Sequence, residues 1–343
     1  MKIKIAVAVC LPVTVLLLAI GSGTVSIPPL DIARIISHSA FGTTLPDHIT
    51  QAQVSIVWAL RLPRALLAFL VGAALSVSGA IMQSVLRNPL ASSFTLGVAS
   101  GASLGAALVI FLGVALPVFS ILTLPVLGFT FALATIILVI AISARLDMRM
   151  ENHTIILMGM VFSLFVNAVT TLLFALFREG AQRMIFWQMG SFARGGAVGI
   201  GGWDMVFILT PVAIAGFLLA YRYTWEMDVM SFGEEQAQAI GVNTKNAKRI
   251  LLVLGAALTG SSIAFVGTIG FVDLVAPHVV RKIYGSSHKY VIPMSAITGG
   301  SFMVLADLVA RTVLPHAELP VGVITALIGA PFFAYIYFSK RRS

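Results

Sequence analysis

Apolar runs of roughly the length needed to cross a bilayer follow one another along almost the whole of this 343-residue chain. A membrane-crossing helix needs about 20 apolar residues. Inside lipid, only helices and closed barrels satisfy every backbone group. The runs fall at 5–22, 64–86, 94–116, 119–143, 154–177, 205–222, 250–268, 271–284, 291–313 and 320–338. They predict an all-α polytopic membrane protein of about ten transmembrane helices, with 1–343 a single transmembrane domain. The apolar stretch 102–144 must fold as two helices, with the turn marked by Pro117 and Pro125. Gly267, Gly270 and Pro277 interrupt 250–284, which predicts one spanning helix followed by a shorter or broken one. Charged residues make up only 10% of the chain, against about 25% in soluble domains, so a soluble globular fold is excluded. The N-terminal Lys2 and Lys4, the apolar core and the small residues after it resemble a signal peptide. The number of runs that follow favours a retained first helix.

Alternating crossings divide the cations into two sets. With the N-terminus cytoplasmic, Arg34, Arg61, Arg64, Arg178, Arg183, Arg194 and Arg311 fall outside, and every other lysine and arginine falls inside. The positive-inside rule supports that orientation, with both termini cytoplasmic. The net charge of +9 is therefore scattered between membrane segments, which argues against nucleic acid as a partner. The outer set is arginine only, and guanidinium forms two-pronged hydrogen bonds with carboxylates. Arg61 and Arg64 read as lying just outside the second span. Arg311 reads as pairing with Asp307 one helical turn back. These arginines serve either as interfacial anchors or as acceptors for acidic residues of an external protein.

One cytoplasmic segment breaks the apolar pattern. In 231–249, SFGEEQAQAIGVNTKNAKR, good helix formers follow Gly233 and stop at Gly241, with Lys245, Lys248 and Arg249 beyond. A compact polar helix in a membrane protein's loop predicts that a partner docks there. Elsewhere, Gly97, Gly101 and Gly105 form a small-residue stripe that allows close helix packing. The segments 71–79 (VGAALSVSG) and 254–262 (LGAALTGSS) form a faint repeat, expected on oppositely directed helices as in inverted-repeat transporters.

Catalytic and metal motifs are missing. No GxxxxGK[ST] occurs, so ATP is not bound by that route. Cys10 is the single cysteine, and His38, His48, His153, His278, His288 and His316 are dispersed, so no metal set is evident. Asp273, near the Gly267–Gly270 interruption, has no partner close in sequence. It sustains an alternative reading, an ion-coupled secondary transporter built on an intramembrane carboxylate.

The chain resembles the permease subunits of FecCD/BtuC-type ABC importers, which take up iron–siderophores, haem and cobalamin. The resemblance rests on 61–105 (RLPRALLAFLVGAALSVSGAIMQSVLRNPLASSFTLGVASGASLG), FWQMGSF at 186–192 and GEEQAQAIGVNTKNAKR at 233–249. It extends through GTIGFVDLVAPHVVR at 267–281, ADLVAR at 306–311 and ELPVGVITALIGAPFF at 318–333. It implies the type II ABC importer permease fold in a bacterial cytoplasmic (inner) membrane, as a dimer of identical or closely paralogous subunits. It further implies separate ATPase subunits that bind ATP and Mg, no cofactor on this chain, and an extracytoplasmic binding protein. The loop at about 224–249 would seat in the ATPase, through Gly233, Glu234, Glu235, Ala237, Ala239 and Gly241. Arg61, Arg64 and Arg311 would receive glutamates of the binding protein. Met158, Phe162, Ser163 and Asn167 of the fifth span, with Leu96 and Ser100, are the expected lining of the translocation pathway. The cargo implied is a bulky metal chelate, ferric siderophore foremost, with haem and cobalamin open. Where similar proteins read GFVGL, this chain has Asp273 within GFVDL at 270–274.

Overall fold

The computed structural model describes residues 2–116, 121–147, 150–193, 200–314 and 317–339. Pro117, Arg194 and His316 lie outside them. All regular elements among the described residues are helical. The order is α1 (Lys2–Gly21), α2 (Pro29–Phe41), α3 (Gln51–Ser55), a π-helical turn (Ile56–Arg61), α4 (Leu62–Val85), α5 (Val98–Leu112), α6 (Thr123–Leu146) and α7 (Asn152–Leu176). There follow a 3-10 turn (Arg178–Gly180), α8 (Ala181–Met189), α9 (Gly202–Arg222), α10 (Thr224–Ser231) and α11 (Glu234–Ala239). The chain closes with α12 (Thr244–Val266), α13 (Val272–Tyr284), α14 (His288–Thr312) and α15 (Val321–Ser339).

Each of the ten apolar runs contains a helix. Among the described residues, six helices are long and apolar enough to cross a membrane: 51–85, 123–146, 152–176, 202–222, 244–266 and 288–312. The apolar parts of α1, α5 and α15 are shorter. Besides the short α3 and the loop helices α10 and α11, helices α2 and α8 lie between the expected runs. Pro29 opens α2, which buries Ile32 and Ile35 while leaving Leu30 and Phe41 exposed. The FWQMGSF motif falls on the short α8, not on a span, and buries Met184 and Trp187.

Residues 51–85 form one continuous helix, starting in a Thr50/Gln53 capping box and passing through the π turn. Arg61 and Arg64 therefore sit within this helix, which corrects their expected place outside it. Arg61, Pro63 and Arg64 read as a boundary and so hid the helix's true start, although 54–60 (VSIVWAL) is largely apolar.

Close packing rests on small residues, since lipid supplies no hydrophobic drive between helices. The most extensive pairing is α4 with α14, then α5 with α6. Gly72 of α4 meets Gly299 of α14 backbone to backbone. A Cβ at Gly101 would collide with the Thr135 hydroxyl and lie 2.7 Å from the Phe131 carbonyl oxygen of α6. The predicted stripe thus packs α5 on α6. The repeat segments also touch. Thr259 of α12 donates to Ser78 of α4 at 2.8 Å, while Met82 lies against Gly255. Four residues forward on α4 correspond to four backward on α12, so the two helices run antiparallel.

The expected break in 250–284 lies at 267–271, between α12 and α13. Non-helical backbone at such a place must be satisfied by protein. The α8 end is bonded to α12, to the break itself and to α15. Ser191 N–H donates to Val266 O at 2.8 Å, Thr268 Oγ1 donates to Gln188 O, and Val321 N–H donates to Gly190 O at 3.1 Å.

Candidate functional site

The loop segment has a small hydrophobic core of its own, formed by Met230, Ala237, Val242 and Ala247. Its local fold follows from two glycines. Gly233, at φ 138°, lets α11 start against the Gln236 side chain. Gly241, at φ 94°, ends it: Gly241 N–H donates to Gln238 O and Val242 N–H to Ala237 O. This is a Schellman cap, whose hydrophobic closure is the Ala237–Val242 contact. Residues 244–249, expected in the loop, already belong to α12.

The two glutamates have different surroundings. Glu235 is exposed, whereas the Glu234 carboxylate turns inward to Lys248 Nζ at 2.5 Å. Lys248 is 1% exposed and also donates to the Met150 carbonyl at 3.0 Å. The ion pair therefore joins α11, α12 and the segment entering α7. Ala237 is fully buried and Ala239 exposed, so only the second contributes to an accessible surface. Phe232 and Ile240 flank α11 as exposed apolar residues, 78% and 64% accessible. Beside them, a cavity of about 510 Å³ is lined by 86–89, 151–153, Ile156 and Glu234.

At the other end of the bundle the three expected docking arginines bind within the chain. Arg61 donates to Ile20 O and Val25 O, both at 2.8 Å. Arg311 donates to Ser22 O at 3.1 Å and to Ala19 O. These two guanidiniums hold the carbonyls that α1 leaves unsatisfied at its C-terminus. Arg64 forks onto Asp307 at 2.8–3.1 Å and reaches Glu318 at 2.9 Å. Asp307 thus pairs chiefly with Arg64, and the expected Arg311–Asp307 ion pair is present beside it at the longer distance of 3.8 Å. The ranking is tertiary: α4 and α14 are in contact, and a two-pronged partner across helices holds the carboxylate more closely than the neighbour on the same helix. Free, outward-pointing guanidiniums are not what the structure contains at these positions. All three arginines, with Glu318, border a cavity of about 330 Å³.

The six expected pathway residues do not share one face. Leu96 is fully buried against Gly159 of α7. Met158 and Phe162 face a groove shared with Val139 and Ile142 of α6. Ser163 lies on the opposite flank of α7, next to Gly97 and bonded to Gly159 O at 2.8 Å. Ser100 is half-buried on α5, and Asn167 is exposed. Asp273 is 3% exposed, with its backbone carbonyl held by Gln83 of α4 at 3.3 Å.

A model of the FecCD transport family matches residues 10–339. The chain belongs to the FecCD transport family. It is 41% identical over 327 residues, covering 95% of this chain and 91% of the relative, to an uncharacterized ABC transporter permease protein, YvrB, of Bacillus subtilis. It is 36% identical to the cobalamin import system permease protein BtuC of Halobacterium salinarum, covering 87% of this chain and 77% of that one. A solved structure, described as an inward-facing conformation of a candidate metal-chelate type ABC transporter, superposes with a TM-score of 0.84. That match has 29% identity and covers 99% of this chain and all of the other.

Two bonding residues of this FecCD-family chain escaped the sequence reading, and a third was given no role. Asp228 was not singled out, Lys248 was one cation among three, and His288 was one dispersed histidine among six. Asp228 accepts from the His288 backbone N–H at 2.8 Å and from its ring Nδ1 at 2.5 Å. Asp228 and His288 lie 60 residues apart and Lys248 lies 98 from Met150, beyond any local pattern. The one signal was position, at the edges of apolar runs, where a charged side chain meets the ends of several helices.

Proposed function

We propose that this chain is the membrane-spanning permease subunit of an ATP-driven ABC importer, carrying a bulky metal chelate from a binding protein into the cytoplasm. The observation that carries the reading is the loop at 224–243. It has a core and a helix cap of its own, presents Phe232, Glu235 and Ile240 outward, and is tied inward through Glu234 and Lys248. A surface both exposed and rigidly linked suits a partner that pushes on it. An ATPase subunit is that partner, and it supplies the ATP and Mg that this chain has no motif to bind. Family membership and the relatives named as permeases support the same reading.

The proposal places residues 1–343 in the bacterial cytoplasmic membrane as one permease domain of ten crossings, with both termini cytoplasmic. A second copy or close paralogue completes the pathway. Within the metal chelates, ferric siderophores are the first class to test, followed by cobalamin and haem. The arginine end is the docking face for the binding protein. Its guanidiniums already hold Asp307, Glu318 and the end of α1, so an incoming glutamate acts by competing with those partners. A carrier centred on Asp273 finds no support in a carboxylate sealed beside α4.

The deciding experiment is purification of the chain from its native membrane, with its associated proteins identified by mass. We expect an ATPase and an extracytoplasmic binding protein, and ATP-dependent uptake in proteoliposomes that survives Asp273→Asn. A lone oligomer driving uptake from an ion gradient, abolished by Asp273→Asn, would reverse the assignment.

A further inference from the structure

α14 begins without a side-chain cap of its own. The first turn of a helix leaves N–H groups that need acceptors, and here the acceptor comes from another helix. Asp228 of α10 takes the His288 backbone N–H at 2.8 Å on Oδ1, and the Ser287 hydroxyl at 3.1 Å on Oδ2. The same Oδ1 accepts from the His288 ring at Nδ1, 2.5 Å away. The other ring nitrogen, Nε2, bonds the hydroxyl of Ser84 in the last turn of α4. His288 is 3% exposed and Ser84 8%. One hydrogen-bonded chain therefore runs from α10 through α14 to α4. The neutral tautomer fits it without strain, donating from Nδ1 to the carboxylate and accepting from the serine at Nε2.

The chain's location gives it significance beyond capping. α4 and α14 form the most extensive helix pair, and at their opposite ends Arg64 of α4 forks onto Asp307 of α14. The pair is thus clamped at both ends, by Ser84–His288 near the loop and by Arg64–Asp307 near the arginine cavity. α10 packs directly on both helices and continues into α11. Helices joined by polar contacts at both ends move as a unit, because parting them strands buried polar groups.

We propose that Asp228 and His288 are positioning residues for coupling, through which displacement of the 224–243 loop turns the α4–α14 pair and reaches the arginine face. This rests on the permease reading above, in which that loop is the part driven by ATP. Asp228 acts through His288, and His288 through Ser84, so each link is open to separate test.

The test uses the complete complex with its ATPase and binding protein, reconstituted in liposomes, and reads chelate taken up per ATP hydrolysed. Asp228→Ala removes all three acceptor contacts, and Ser84→Ala removes only the last link and lies outside the loop. Each should lower uptake per ATP, Asp228→Ala by about tenfold, the equivalent of one lost charge-assisted hydrogen bond. Asp228→Asn keeps an acceptor oxygen for both His288 donors and should stay within about twofold of wild type, by the same scale. An unchanged ratio in Asp228→Ala would overturn the proposal. If that variant fails to assemble, Ser84→Ala decides: a lowered ratio supports the link and an unchanged one overturns it. An equal loss in Asp228→Asn would overturn the hydrogen-bonded chain as its basis. Absence of ATP-driven uptake by the wild-type complex would instead remove the permease reading, and the proposal with it.

Discussion

Lys248 shows what a buried cation demands of its surroundings. It is almost wholly enclosed, and its ammonium is met by one carboxylate and one carbonyl. Removing one partner of such a pair is worse than never having had it, since the other remains desolvated. Lys248→Met should therefore destabilise the folded chain by about 2 kcal/mol, less than for a fully enclosed pair because Glu234 is 27% exposed. The companion Lys248→Met/Glu234→Gln variant should lose less than the single one. Melting temperatures in detergent check both, and an unmoved midpoint in the single variant would refute the linkage. Here the limit of sequence reading is plain. The glycines bounding α11 were legible because φ preference is local. Which of Lys245, Lys248 and Arg249 turns inward was not, because the deciding carbonyl belongs to Met150. Arg64 and Asp307 make the same point across two helices: the local i,i+4 rule found the Arg311–Asp307 pair but not the closer fork from Arg64.

At the scale of elements, apolar runs located every long helix, but the cut at Arg61, Pro63 and Arg64 left the helix over 51–85 about a dozen residues short. The amphipathic α2 and α8 were missed because half of each faces outward and neither forms a continuous apolar run. The small-residue stripe on α5 was legible, because a repeated absence of side chain has few other uses in lipid. Its consequence is measurable. Gly101→Val would press a branched side chain on the Phe131 backbone and Thr135, an overpacking worth about 1–3 kcal/mol. A lower yield of monodisperse protein and a lower melting temperature are expected. Gly270→Ala, whose new methyl would meet only the Phe94 ring at 3.9 Å, should behave as wild type. Equal behaviour of the two would show that α5 and α6 do not pack as described. The expected pathway residues also divide by their place on an element. On α7, Met158 and Phe162 lie on one flank of the packed stripe, and Ser163 and Asn167 lie on the other.

For the whole molecule, the loop and the arginine cluster occupy opposite ends, and orientation in the membrane is open to direct measurement. Cys10 is the only cysteine, so Cys10→Ser leaves a background without thiols. Ile240→Cys in that background should react with a membrane-impermeant maleimide only from the cytoplasmic side, and Phe41→Cys only from the opposite side. Labelling of both from one side would invert or refold the topology. The two ends also differ in when they become complete. Arg61 binds carbonyls of Ile20 and Val25, already synthesised when it leaves the ribosome. Lys248 likewise finds Met150 and Glu234 waiting. Arg64 has no such provision: its carboxylates at Asp307 and Glu318 arrive more than 240 residues later. A nascent chain thus carries an unmatched guanidinium on α4 until α14 and the segment before α15 emerge. The closing of the Arg64–Asp307 fork is a late event of biogenesis, reporting that α14 has been translated and gathered against α4.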